Sequence, residues 1–314
     1  MRSFSAHGKI LLTGEYLVLK GATALGLPTK LGQSLTVRHY LPSVGEPSGC
    51  EERSDAILWN AFKPEGPWFT AALSPDTLEI IETDDASKAE KLSSILKALR
   101  QLNPQALQPG LRFETHLEFD PSWGLGSSST LLSNLAQWAG VNPYELLKMT
   151  IGGSGYDIAC ATASSAVHYC LDKGQPMVRP VVFNPPFANR LFFVYQGKKQ
   201  HSSNEVKAFN QQWAQADLVG EIQTISELSM ALPTVTYFED FSTLLQIHET
   251  ILARCLGRNP VQQQFPDFDG TLKSLGAWGG DFLLAATEMP FEEVCNYFKN
   301  KGLTTIFRYQ DLIL

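Results

Sequence analysis

Gly124-Leu125-Gly126-Ser127-Ser128-Ser129-Thr130 is the stretch on which the reading of this 314-residue chain turns. The segment before it, Leu111 to Phe119, alternates as a strand with Phe113, Leu117 and Phe119 on one face, and Pro121 and Trp123 end it. After it, Leu131, Leu132, Leu135 and Trp138 recur with helical spacing. A glycine turn between a strand and a helix suits an anion. Glycine lets backbone N–H groups approach closely and adopts φ > 0, and the helix start adds unpaired donors and the positive end of a dipole. The hydroxyls add side-chain donors and candidate divalent-cation ligands. A Ser/Thr-rich helix start is also an ordinary N-cap, and with no lysine after the last glycine this is not a Walker A loop.

Composition sets outer bounds. Hydrophobic residues make up 44% and charged residues 18%, as in a globular enzyme. Apolar runs reach about ten residues, short of a membrane span, and Lys9 and Glu15 interrupt the early apolar stretch where a signal peptide would need continuity. A net charge of −7 argues against nucleic-acid binding, so cations for an anionic ligand must be placed locally. Cys50, Cys160, Cys170, Cys255 and Cys295 are scattered and odd in number. That fits reduced thiols in a cytoplasm and no structural metal.

Along the chain, residues 1–82 read as strands and loops, with strands at Lys30–His39, Ile57–Phe62 and Trp68–Leu73. Leu92, Ile95, Leu96, Leu99 and Leu102 give residues 86–103 one apolar helical face. Residues 126–140 and 143–150 read as helices, and 164–170 and 178–183 as extended. Asn184-Pro185-Pro186 is the best linker. Beyond it come a strand at 191–195, a helical stretch over 203–257 interrupted near Pro233, a strand at 281–286, a helix at 290–300 and a strand at 303–308. The expectation is an α+β chain in two layers.

Two further glycine motifs flank the central turn. Gly8-Lys9 is followed at Gly14-Glu15 by a second pair, and Lys273-Ser274-Leu275-Gly276-Ala277-Trp278-Gly279-Gly280-Asp281 lies near the C-terminus. Between them stands Gly153-Ser154-Gly155-Tyr156-Asp157-Ile158-Ala159. In this order the segments resemble the motifs of the GHMP kinase superfamily: GK-x(4)-GE, GLGSSS, SG-x-D and G-x-x-GG. The resemblance runs from residue 8 to residue 281. It implies an N-terminal ribosomal-S5-like domain, here 1–184, a C-terminal ferredoxin-like domain, here 185–314, and transfer of a phosphoryl group from ATP with Mg²⁺.

The same resemblance distributes roles. Gly124, Leu125, Gly126, Ser127, Ser128 and Ser129 would bind ATP, with Ser128 near Mg²⁺. Family members often add a glutamate as metal ligand. Leu146 holds that place here, and Glu145, one residue away, is the candidate. Asp157 would be catalytic, although an Asp in a glycine turn also reads as a helix N-cap. Lys9, heading an apolar run, either lowers the acceptor's pKa, neutralises the transferring group, or is a surface lysine. His7 reads as structural, and Trp278 as a packing residue or a wall of the acceptor pocket. Lys198, Lys199, Ser202 and Ser203 form either a solvated loop or a site for an anionic acceptor. Gly276, Ala277 and Gly279 complete the expected substrate contacts.

Within the superfamily, Tyr16 after Gly14-Glu15, where mevalonate kinases usually carry histidine, is similar to the phosphomevalonate kinases. So are the Gly-Tyr-Asp-Ile-Ala segment and the third motif. The expected acceptor is therefore phosphomevalonate, with mevalonate or another small alcohol as the alternative. A diphosphomevalonate decarboxylase and an inactive metabolite-binding homologue are further readings. The family's decarboxylases usually carry an alanine-rich variant of the central turn. A serine hydrolase is disfavoured, because G-x-S-x-G is absent.

Overall fold

The structure is a computed structural model that describes residues 1–39, 55–197, 218–276, 278 and 280–314. The fold is α+β, and its residues gather into two compact units, each built from separate stretches of chain. One comprises Met1–Gly8, Leu31–Pro121 and Gly126–Thr162; the other comprises Lys9–Lys30, Ser122–Leu125 and Ala163–Leu314. Among the described residues, no helix is long and apolar enough to cross a membrane.

The first unit is a sheet covered by helices. Strands β1 (Arg2–Thr13) and β2 (Ala24–His39) pair with each other, each lending part of its length to this unit. Next come β3 (Ile57–Lys63), β4 (Gly66–Leu73), β5 (Ile80–Thr83), helix α1 (Ala86–Leu102) and β6 (Leu111–Leu117). The sheet order is β5-β4-β3-β6-β2; β3 and β6 run parallel and the other neighbours antiparallel. Helices α2 (Ser127–Ala139), α3 (Pro143–Met149) and α4 (Tyr156–Ala161) follow. Asp85 caps α1 by accepting from the Lys88 backbone N–H at 3.0 Å. The expected apolar face of α1 is buried at Leu92, Ile95, Leu96 and Leu99. It joins Leu132 and Leu135 of α2 and the stacked rings of Trp59 and Phe113, 5.0 Å apart. Each such aliphatic side chain contributes roughly 1.5–3 kcal/mol by leaving water.

In the second unit, β7 (Val167–Asp172) and β8 (Gln175–Pro180) form a hairpin that pairs with Ala24–Gly26 of β2. Lys173 and Gly174 both have positive φ, as a type I′ two-residue turn requires. These strands sit a few residues from the expected 164–170 and 178–183, because that turn fixes the register. Strand β9 (Leu191–Tyr195) leads to helices α5 (Val219–Ala231) and α6 (Phe238–Leu256). The break between them is a 3₁₀ turn at Leu232–Thr234, where Pro233 removes a helical donor. Strands β10 (Thr271–Leu275) and β11 (Phe282–Ala286), helix α7 (Phe291–Asn300), β12 (Ile306–Arg308) and helix α8 (Tyr309–Leu312) complete the chain. The antiparallel order β10-β11-β9-β12, with helices between β9 and β10 and between β11 and β12, is the ferredoxin-like arrangement expected for this half.

Candidate active site

The second unit holds the first half of the glycine turn. Lys9 sits in β1, where alternation buries Ala6, Gly8 and Ile10 on the opposite face and leaves Lys9 half-buried. Its backbone N–H donates to the Leu125 carbonyl at 2.9 Å, and its ammonium donates to the Gly124 carbonyl at 2.7 Å. The Tyr195 hydroxyl donates to the Ser122 carbonyl at 3.0 Å. The Leu125 side chain is buried, so only its backbone is available to a ligand.

The third motif meets the same turn. Asp281, buried and at φ 50°, places its carboxylate against Gly124, where a Cβ would come within 2.4 Å of it. A Cβ on Gly276 would lie 3.1 Å from Asp281 Oδ2. The main chain around Asp281 is fixed by Gln196, whose N–H donates to the Asp281 carbonyl at 2.8 Å and whose side-chain amide donates to the Gly280 carbonyl at 2.9 Å. Trp278 is a packing residue. Its side chain is buried with Leu17, Ile225 and Leu252, and its backbone N–H donates to the Tyr16 hydroxyl at 2.8 Å.

A sealed polar network links the first and third motifs. Lys273 is fully buried and donates to Glu15 Oε1 at 2.5 Å and to the Ser274 carbonyl at 2.7 Å. Glu249 accepts from the Val261 and Ser274 backbone N–H groups and from the Ser274 hydroxyl. Glu15 is less well served. Among the described residues its Oε2 has no hydrogen-bond partner, and it lies 3.5 Å from His248 Nε2, itself the acceptor for the Gly14 N–H at 2.9 Å. Burial pushes the Glu15 carboxyl up to about 7 against the pull of Lys273, and the Glu249 carboxyl is also raised. Burial and Lys273 hold His248 well below its usual range, so it is a neutral imidazole with its proton on Nδ1.

The first unit holds the second half of the turn. Gly126, at φ 95°, caps α2, and the Thr130 N–H makes the first helical bond to its carbonyl. The N–H groups of Ser127, Ser128 and Ser129 therefore precede the helical ladder. Not all the hydroxyls are open to a ligand. The Ser129 hydroxyl donates to the Gly126 carbonyl at 2.9 Å, and that of Thr130 donates to the buried Gln33 side chain at 2.8 Å. Ser127 is half-buried and Ser128 exposed.

Asp157 occupies the first turn of α4, which packs against α2, and its Oδ1 accepts from the Ile158 N–H at 3.0 Å. Nearby Tyr144 has its hydroxyl pushed up to about 12, chiefly by burial with Cys160 and Asp157 adding, so it stays neutral. Glu145 is exposed in the first turn of α3, whereas Leu146 is buried and apolar. Among the described residues, no group of three or more His, Cys, Asp or Glu side chains is arranged to hold a metal. Lys198, Lys199, Ser202, Ser203, Ala277 and Gly279 lie outside the described residues.

No protein-family model matches the chain, and no curated protein matches it by sequence. Solved structures match its fold along nearly its whole length. Streptococcus pneumoniae phosphomevalonate kinase in complex with phosphomevalonate and AMPPNP aligns with a TM-score of 0.70 at 17% identity, covering 98% of this chain and 100% of that one. L. major mevalonate kinase in complex with R-mevalonate aligns with a TM-score of 0.67 at 16% identity, covering 98% and 95%. Lactococcus lactis galactokinase complexed with galactose aligns with a TM-score of 0.63 at 12% identity, covering 97% and 92%. At these identities the likeness is one of fold, shared by kinases whose acceptors differ.

Proposed function

We propose that this protein is an ATP-dependent small-molecule kinase of the mevalonate-pathway type, with phosphomevalonate as its acceptor. The observation that carries the reading is the Lys9 ammonium seated on the Gly124 carbonyl, at the head of a glycine turn that opens a helix. Phosphoryl transfer demands positioning and charge neutralisation more than covalent chemistry. The N–H groups of Ser127, Ser128 and Ser129 and the positive end of α2 suit the phosphates of ATP. The hydroxyls of Ser129 and Thr130, already engaged, hold the turn in shape; those of Ser127 and Ser128 are left to meet the ligand. Mg²⁺ would neutralise phosphate charge. Exposed Ser128 fits it as a ligand, Glu145, exposed in the first turn of α3, is the candidate carboxylate, and buried Leu146 has no donor to give.

Lys9 would transfer its ammonium from the Gly124 carbonyl to the moving phosphoryl group, where its charge is worth most. Asp157 would receive or share the acceptor's proton. Lys198, Lys199, Ser202 and Ser203 would bind the acceptor's phosphate, and Gly276, Ala277 and Gly279 would complete the substrate contacts. An alcohol acceptor such as mevalonate is the second reading. Asp157 favours it, because an alcohol must lose a proton whereas a phosphate is already ionised at neutral pH.

The test is incubation with Mg-ATP and, in turn, mevalonate, phosphomevalonate, homoserine, galactose and shikimate, following ADP. ADP release that depends on phosphomevalonate supports the proposal. Dependence on an alcohol moves the reading to that acceptor. CO₂ released from diphosphomevalonate would mark a decarboxylase, and nucleotide binding without turnover a binding homologue.

A further inference from the structure

Asp281 is an unusual residue to find beside a turn that suits phosphates. It is an acidic side chain, 6% exposed, in the left-handed region at φ 50°. An L-residue there costs roughly 1–2 kcal/mol, less for Asp than for most. The conformation swings the carboxylate between Gly124 of the central turn, at φ 71°, and Gly276 of the third motif, at φ 70°. Both neighbours are glycines: a Cβ on Gly124 would overlap the carboxylate at 2.4 Å, and one on Gly276 would crowd it at 3.1 Å. The Gly124 carbonyl is the acceptor for Lys9, and the next carbonyl, of Leu125, is the acceptor for the Lys9 backbone N–H.

We propose that Asp281 is a positioning residue for the phosphate turn: its carboxylate is a wedge that fixes the Gly124 peptide, and through it the ammonium of Lys9. The wedge acts by occupying volume. The backbone of Asp281 is clamped by Gln196, so the side chain is held from behind while it bears on Gly124. Removing it frees the 122–125 segment to move toward the space it filled, and Lys9 loses its seat. The effect on turnover rests on the kinase reading; the effect on the turn does not.

The experiment has two readouts on the full-length chain. The first is amide hydrogen exchange at Lys9, whose N–H is held by the Leu125 carbonyl. Asp281→Ala should speed it about tenfold or more, while amides of the neighbouring β9–β11 pairs at Phe193 and Leu284 keep wild-type rates. Asp281→Asn, which keeps the shape and tolerates positive φ, should leave the Lys9 amide protected. The second readout is a compensating pair. Gly124→Ala drives a Cβ into the Asp281 carboxylate and should raise the KM for ATP more than it lowers kcat. Adding Asp281→Gly should recover part of that loss, because the obstructing group is gone.

The inference is overturned if Asp281→Ala leaves Lys9 exchange at its wild-type rate, if Asp281→Asn behaves as Asp281→Ala does, or if the double variant is no better than Gly124→Ala. A wild-type chain that neither binds nor turns over Mg-ATP would remove the kinase reading alone. The exchange rates, and the same compensation read as Lys9 exchange, would still decide the role of Asp281.

Discussion

The ammonium of Lys9 and the carbonyl oxygen of Gly124 are 2.7 Å apart, though 115 residues separate them in the chain. A half-buried cation is thus parked on a neutral acceptor at the mouth of the glycine turn. A carbonyl acceptor positions a lysine without cancelling its charge. Lys9→Met should therefore lower kcat by about 10²–10³-fold, the usual cost of losing one preorganised electrostatic contact. ATP binding, shared among the turn's N–H groups, should weaken far less. Steady-state kinetics with nucleotide titration calorimetry would check both, and equal losses in binding and turnover would remove Lys9 from the transition state.

Gly126→Val should raise the KM for ATP strongly and destabilise the fold. Gly126 sits at φ 95°, where a β-branched residue is strained by roughly 1–2 kcal/mol or more, and the added side chain would cover the N–H groups that follow. An unchanged calorimetric affinity for ATP would mean that the turn serves another ligand.

Asp157→Asn separates the two acceptor classes. Loss of a general base typically costs about 10²–10⁴-fold. With a phosphate acceptor, whose second pKa is about 6, the loss should lie at the low end. Replacing Lys198, Lys199 and Ser202 together should then raise the acceptor KM. With an alcohol acceptor the loss should lie at the high end and the triple replacement should matter little. Acceptor KM and kcat for the two variant sets give the answer.

The network around Glu15 predicts a stability profile. Burial raises the folded pKa of Glu15 from 4.5 to about 7, so its contribution is fully present below 4.5 and is lost as pH rises through 7, about 3 kcal/mol in all. His248 is shifted the other way. Its folded pKa lies well below 6.5, so its contribution is present above 6.5 and is lost as pH falls. Between 4.5 and 6.5 the folded state holds the extra proton on Glu15 and the unfolded state holds it on His248, and the two slopes oppose each other. Across this window Glu15→Gln should become more stable with rising pH relative to wild type, and His248→Gln less stable. Urea denaturation at several pH values would show both trends; parallel profiles for wild type and both variants would rule the linkage out.

Much of the scaffold was legible because its signals are local. The apolar face of α1, the glycine turn opening α2, and the strand-helix-strand run from Phe282 to Arg308 all follow from residues a few positions apart. Strand β1 was not read, because the small residues Ala6 and Gly8 hold its buried face and give little hydrophobic alternation. Strand β10 was hidden by Lys273 and Ser274, polar residues at buried positions. Lys273 is tolerated there because Glu15, 258 residues away, and the Ser274 carbonyl accept its hydrogen bonds. Asp281 was visible as the last residue of the third motif and the first of the expected strand 281–286. Its role as a wedge depends on where Gly124 lies in space.

The chain passes from one compact unit to the other at 8/9, 30/31, 121/122, 125/126 and 162/163. No single cut therefore releases either unit with all its parts. Limited proteolysis or truncation should yield fragments that fail to hold native structure, because each would lack strands that only a distant part of the chain supplies. Neither unit is a module that gene fusion could move alone. Long-range pairing of this kind is expected to slow folding, since the loops it closes are long.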